Sequence, residues 1–183
     1  MKESPMIFCL VGASGCGKTS AAKHIEKSLH LPVICSYTTR PKREGETDGI
    51  EHFFVTEEEM PSRESMLAYT YFGGYHYWAT KEQASRNCIY VIDEDGVREL
   101  MRFADEFTIL PIYINKECID VDSARKERDR DRRPLRYDSY ISHIDNNGTM
   151  YDFLYNVVEQ INLCLHNQWW VEQWYRVHKK DIR

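Results

Sequence analysis

The chain has 183 residues, 42% hydrophobic and 13% aromatic, enough for one domain with a sizeable core and too apolar for disorder as its main state. A net charge of −5 and a pI near 5.8 argue against a broad nucleic-acid surface, so no nucleic acid is expected as a partner. The cysteines at 9, 16, 35, 88, 118 and 164 form no CxxC pair, no signal-peptide pattern opens the chain, and no apolar run nears about 20 residues. Reduced thiols, a cytoplasmic location and no membrane contact are the expectations.

In chain order, MIFCLV (Met6–Val11) predicts a strand buried on both faces, as in a parallel sheet. GASGCGKTS follows, then a helix in which Ala21, Ala22, Ile25 and Leu29 share one face. LPVIC (Leu31–Cys35) and HFFV (His52–Val55) read as strands, and Thr56 with Glu59 as a helix start. MLAYTYFGGYHYWAT reads as a hairpin turning at Gly73-Gly74, CIYVID as a second buried strand, and GVRELMRFA as a helix from Gly96. ILPIYI is a third buried strand, weakened by Pro111. DSARKERDRDRRPLR is a charge-dense helix broken near Pro134, and YDFLYNVV holds a last strand. The end, from Val158 to Lys180, reads as one long amphipathic helix. Its Trp169, Trp170 and Trp174 pack on the core or on a partner, the core being favoured. Apolar strands alternating with helices indicate an α/β fold with a mainly parallel sheet, interrupted by the aromatic hairpin.

Gly12-Ala13-Ser14-Gly15-Cys16-Gly17-Lys18-Thr19 matches GxxxxGK[ST] without a gap. Glycines let successive N–H groups turn toward phosphates, and the following helix presents its positive end. Lys18 adds a point charge and Thr19 a hydroxyl suited to Mg²⁺. A glycine turn that merely joins strand to helix is the plain alternative. The buried run before the motif and the helical run after it favour phosphate binding.

SYTTRPKREGETDG (Ser36–Gly49) gathers Arg40, Lys42 and Arg43 around Pro41, and guanidinium forks suit phosphate oxygens. Its alternative is a solvated polar loop. With the following residues, IEHFFVTEEEM, this stretch resembles the acceptor-binding signature of guanylate kinases. Ser36, Thr38, Thr39, Arg40, Arg43, Gly45, Glu46, Gly49, Phe54 and Val55 stand at matching positions. GGYHYWAT resembles the family's second acceptor segment and VIDEDG its Asp-bearing strand end. The likeness spans about residues 5–160 and is strongest through residue 60.

The resemblance implies a P-loop kinase fold: three layers, a mainly parallel sheet, an inserted acceptor-binding lobe and a lid. One domain over 1–183 would comprise a core (about 1–34, 86–121 and 137–183), the lobe (about 35–85) and the lid (about 122–136). It implies transfer of the γ-phosphate of ATP, with Mg²⁺, to a nucleoside monophosphate, GMP or dGMP foremost. Gly12 to Ser20 (Gly12, Ala13, Ser14, Gly15, Cys16, Gly17, Lys18, Thr19, Ser20) and Asn156 would hold ATP. Ser36, Arg40, Arg43, His52 and Tyr77 would hold the acceptor phosphate, His52 standing where the family has tyrosine. Thr19 and Asp93 would serve the metal; an ordinary strand-end carboxylate is the alternative for Asp93.

Lys18, Arg40 and two lid arginines, Arg128 and Arg136, are the catalytic nominees; Arg125, Arg130, Arg132 and Arg133 cannot be ranked against them. The interleaved signs of that segment also suit a solvated, salt-bridged helix.

Two departures bear on the acceptor. Ala68 and Val91 stand where the family has acids that read guanine, and neither can accept a hydrogen bond. Trp78 replaces a glycine and either stacks on a base or packs as core. A kinase for a different nucleotide or phosphorylated small molecule is therefore kept as an alternative. A non-catalytic guanylate-kinase-like binding module is kept too, although the intact phosphate loop argues against it. Self-association as a homodimer is left open.

Overall fold

The structure, a computed structural model, describes residues 4–117, 126, 129, 130 and 132–182. In chain order the elements are β1 (Met6–Val11), α1 (Lys18–Leu29), β2 (Tyr37–Thr38), β3 (Phe53–Phe54), β4 (Met66–Phe72), β5 (Tyr75–Thr80) and β6 (Cys88–Val91). Then come α2 (Glu94–Leu100), β7 (Thr108–Asn115), β8 (Ser142–Asp145), α3 (Met150–His166) and α4 (Gln168–His178).

Among the described residues the strands form two four-stranded sheets. The first, in the order β6-β1-β7-β8, is parallel throughout, with Leu10 opposite both Val91 and Ile112. All six residues of β1 are buried, which is why its sequence runs apolar without alternation. Met6, Phe8 and Leu10 face Ala21, Ala22 and Ile25 of α1 and Phe153, Val157 and Ile161 of α3. Ile7, Cys9 and Val11 face Val97 and Leu100 of α2 and Tyr175 of α4. The result is the three-layer α/β architecture expected from the sequence. The second sheet, β3-β2-β5-β4, is mixed and carries the hairpin; only β2 and β3 run parallel in it.

Pro111 lies within β7, an interior strand, without breaking a ladder. Its carbonyl accepts from Ile141 N–H at 2.8 Å, so the missing N–H points toward the β8 side. The paired part of β8 begins only at Ser142, opposite Ile112, and no ladder bond is lost at 111.

Several local readings are corrected. Leu31–Cys35 is not a strand of its own: Val33 makes a single parallel bridge to Ile89, and Pro32 offers only its carbonyl. Helix α2 starts at Glu94 rather than Gly96, because the Asp93 side chain accepts from Gly96 N–H at 2.7 Å and caps it. YDFLYNVV is helical, not a strand. Phe153, Val157, Ile161 and Cys164 recur at helical spacing on the buried side of α3, and Thr149 caps it by accepting from Asp152 N–H.

The expected single C-terminal helix is two. Asn167 (φ −127°, ψ 60°) leaves helical geometry, and its side chain accepts from Trp170 N–H at 3.2 Å, capping α4. Glu57–Glu59 form one 3-10 turn behind Thr56. Seven of the fifteen residues of the charge-dense segment, Arg125 and Arg128 included, lie outside the described residues; Lys126, Asp129 and Arg130 are helical. Among the described residues no helix is long and apolar enough to cross a membrane.

Candidate active site

The phosphate loop leaves the C-terminal end of β1 and feeds α1, whose first residue is Lys18. Two of its glycines are required by close approach. A Cβ on Gly12 would sit 2.3 Å from the Ile114 carbonyl oxygen, and one on Gly17 2.7 Å from Asn146 Nδ2. Asn146, buried after β8, donates from Nδ2 to the Cys16 carbonyl at 2.8 Å and fastens the loop to the end of β8, two strands away in the sheet. Lys18 Nζ turns back onto the loop, donating to the Gly12 and Ala13 carbonyls at 2.7 Å each. Burial holds its pKa below the usual lysine value, with nearby Arg132 acting in the same direction. Thr19 and Ser20 are exposed in the first turn of α1.

The basic loop is closed by one carboxylate. Glu46 accepts from both arms of the Arg40 guanidinium, at 3.0 and 2.8 Å, and from Arg43 N–H at 2.8 Å. Arg40 is 8% exposed, and its cation also lies 5.5 Å from the Phe54 ring. The Arg40 hydrogen bonds pull the Glu46 pKa down from 4.5 to about 2. His52 packs edge-on to Tyr77 at 5.8 Å and to Phe54 at 6.0 Å. Its Nδ1 is buried without a hydrogen-bond partner among the described residues. Burial, then the Arg40 charge, lowers the His52 pKa, so the ring is neutral at neutral pH. Ser36 Oγ and the Tyr90 hydroxyl lie 3.0 Å apart, joining this cluster to β6 of the main sheet. The structure thus gathers Arg40, His52 and Tyr77 into one cluster with Glu46, while the Arg43 side chain stays exposed at its rim.

A third group lies beside α2: Arg132 and Arg133 are two of the lid arginines the sequence left unranked, while Glu94, Asp95, Arg98 and Asp129 were not singled out. Glu94, 2% exposed, accepts both arms of the Arg132 fork. Arg98 donates to the carbonyls of Arg133 and Pro134 at 2.8 and 3.1 Å, and Arg133 pairs with Asp95. Asp129 reaches the phosphate loop: its carboxylate accepts from Ser14 N–H at 2.9 Å and from Ser14 Oγ at 3.1 Å. Among the described arginines, Arg132 is the one whose charge is felt at Lys18. Arg136 is 71% exposed and pairs at 3.5 Å with Asp181 near the C-terminus, while Arg128 lies outside the described residues.

Other nominated positions fall elsewhere. Asn156 is exposed on α3, lining a groove between that helix and β8, whereas Asn146 is the asparagine on the phosphate loop. Ala68 (φ 49°) sits at an irregularity in β4 and is buried with Leu67 and Ala79; Val91 packs into the α1-side core. Trp78 is 1% exposed and stacks on Tyr37 at 5.6 Å, so it is core and not a base platform. Asp93 spends one oxygen on its cap, and among the described residues no three His, Cys, Asp or Glu side chains gather as a metal site.

The comparisons with known proteins identify the family and the fold. The family model described as Guanylate kinase matches residues 4–161. A guanylate kinase of Neisseria gonorrhoeae is 33% identical over 161 residues, covering 81% of this chain and 78% of that protein. One of Mesoplasma florum is 30% identical over 125 residues, which is 62% of this chain and 41% of the relative. The crystal structure of guanylate kinase from Anaplasma phagocytophilum superposes with a TM-score of 0.61 at 20% identity, covering 92% and 88% of the two chains. That last likeness is one of fold, the P-loop kinase fold. With a family model spanning most of its length and a relative at this identity, the chain belongs to the guanylate kinase family.

Proposed function

We propose that the protein transfers the γ-phosphate of ATP to a nucleoside monophosphate, GMP or dGMP foremost, as a one-domain cytoplasmic enzyme with an acceptor lobe at about 35–85. The observation that carries the reading is the pairing of two anion sites on one sheet edge. The Gly12–Thr19 loop follows β1, and the Arg40 cluster is joined through Ser36 to Tyr90 on β6, the strand beside it.

Donor phosphates would take the loop amides and the Lys18 ammonium. Acceptor phosphate would take Ser36, Arg40, Arg43, His52 and Tyr77. Near neutral pH the acceptor's phosphate oxygen is already anionic, its second pKa being near 6, so no strong general base is needed. That oxygen attacks the γ-phosphorus, the bond to the β–γ bridging oxygen breaks, and ADP leaves with the electron pair. The protein's work is to press two anions together and spread the charge of the transferred group, with Arg132, among the described lid arginines, best placed to help Lys18.

Mg²⁺ fits the donor set. It takes oxygen ligands, one or two from protein and the rest from phosphates and water, which matches the exposed Thr19 hydroxyl and the Asp93 carboxylate. Held by those residues, it would supply positive charge to offset that of the phosphates.

The test is ADP release measured over all ribo- and deoxynucleoside monophosphates. GMP or dGMP should turn over fastest, and Lys18→Ala should lower kcat by about 10²–10³-fold. ATP binding without turnover of any nucleotide would instead favour a binding module, and turnover of another monophosphate alone would move the acceptor assignment.

A further inference from the structure

The Ser14 N–H is part of the anion-binding amide set of the phosphate loop, and it already holds an anion supplied by the protein. Asp129, 115 residues away in sequence, accepts from the Ser14 amide at 2.9 Å with one carboxylate oxygen and from the Ser14 hydroxyl at 3.1 Å with the other. This two-pronged grip is how a phosphate oxygen pair would be held, because a nest of N–H groups selects for negative charge and not for phosphorus. In the same structure the Lys18 ammonium is turned onto the loop's own carbonyls, and Arg132 is committed to buried Glu94. Each of the three charged groups is satisfied inside the protein.

Resting on the reading that this loop holds ATP, we infer that Asp129 is an internal competitor for the donor site, a carboxylate plug that the triphosphate must displace. A single N–H cannot give a full hydrogen bond to both a donor phosphate and Asp129, and two anions at that spacing repel. ATP affinity is lower than the loop alone would give, and other anions of similar size, such as inorganic tripolyphosphate, should dislodge the plug too.

The experiment is equilibrium titration of the full chain with ATP, and separately with tripolyphosphate, without acceptor. It compares wild type, Asp129→Asn, Asp129→Ala and Ser14→Ala, with thermal melts to show that each variant is folded. Losing a hydrogen bond to a charged group corresponds to about ten- to a hundredfold, so Asp129→Ala should bind both ligands about tenfold tighter or more. Asp129→Asn, which keeps an acceptor but not the charge, should gain less. Ser14→Ala, which keeps the N–H and loses the hydroxyl contact, should show the smallest change.

Equal affinity in wild type and Asp129→Ala, or weaker binding in the variant, overturns the plug while leaving the donor reading intact. If neither protein binds ATP, the donor reading falls and the plug with it.

Discussion

Arg40 and Glu46 show how one ion pair sets the pH limits of the basic loop. Glu46 is held ionised, chiefly by the Arg40 hydrogen bonds, down to about 2 from 4.5. A depressed carboxylate contributes stability that is complete above pH 4.5 and is lost as pH falls toward 2. His52 adds a second limb of the same sign. Its folded pKa lies below 6.5, so the unfolded chain takes up the proton more readily, and stability declines as pH drops below 6.5. Urea unfolding from pH 7.5 to 3 should therefore show the midpoint falling in two stages. Glu46→Gln should flatten the stage below pH 4.5, and His52→Phe the one just below 6.5. Since His52 Nδ1 has no partner among the described residues, His52→Phe should also leave stability at pH 7.5 unchanged or slightly raised. A large loss there would mean that the ring nitrogen is hydrogen-bonded after all.

At the scale of elements, α3 serves both the core and the site. Phe153 is buried against the sheet, and its ring lies 3.1 Å from where a Cβ on Gly17 would be. Phe153→Ala should cost about 3–5 kcal/mol in chemical denaturation and should loosen ATP binding in the same protein. Unaltered ATP affinity in a folded Phe153→Ala variant would separate the two roles.

The same helix shows what the sequence does and does not disclose. Read over eight residues, YDFLYNVV is rich in aromatic and β-branched types and suits a strand. Only over Met150–His166 does the spacing of Phe153, Val157, Ile161 and Cys164 appear. The break at Asn167 was hidden because a polar residue between two amphipathic stretches looks like one more exposed position; the asparagine as cap is the signal that marks it.

The phosphate loop was legible because its chemistry is contiguous from Gly12 to Thr19. The clustering of the basic loop was legible for a similar reason, with Arg40, Arg43 and Glu46 within seven residues. Glu94 with Arg132 and Ser14 with Asp129 were not, since those contacts join residues 38 and 115 apart. Nor could the sequence show that Ala68 and Trp78 are turned into the core.

For the whole molecule, the two sheets share no strand, yet they share a core. Leu67 and Ala79, from β4 and β5, lie in the same buried cluster as Ile7 of β1 and Val97 of α2. Thermal or urea unfolding should accordingly be one transition, with the calorimetric and van't Hoff enthalpies equal. A resolved early transition would show the lobe melting by itself.

The distribution of indoles makes that question answerable by light alone. Trp78 is the tryptophan of the small sheet, shut away from water, while Trp169, Trp170 and Trp174 all belong to α4, with Trp169 69% exposed. Replacing the three helical indoles with phenylalanine leaves a single indole, excitable apart from the tyrosines at the red edge of absorption, shielded from aqueous quenchers and lodged behind the residues proposed to grip the acceptor. Its wavelength and quenching then follow the lobe through titration, closure and melting, without any label being attached.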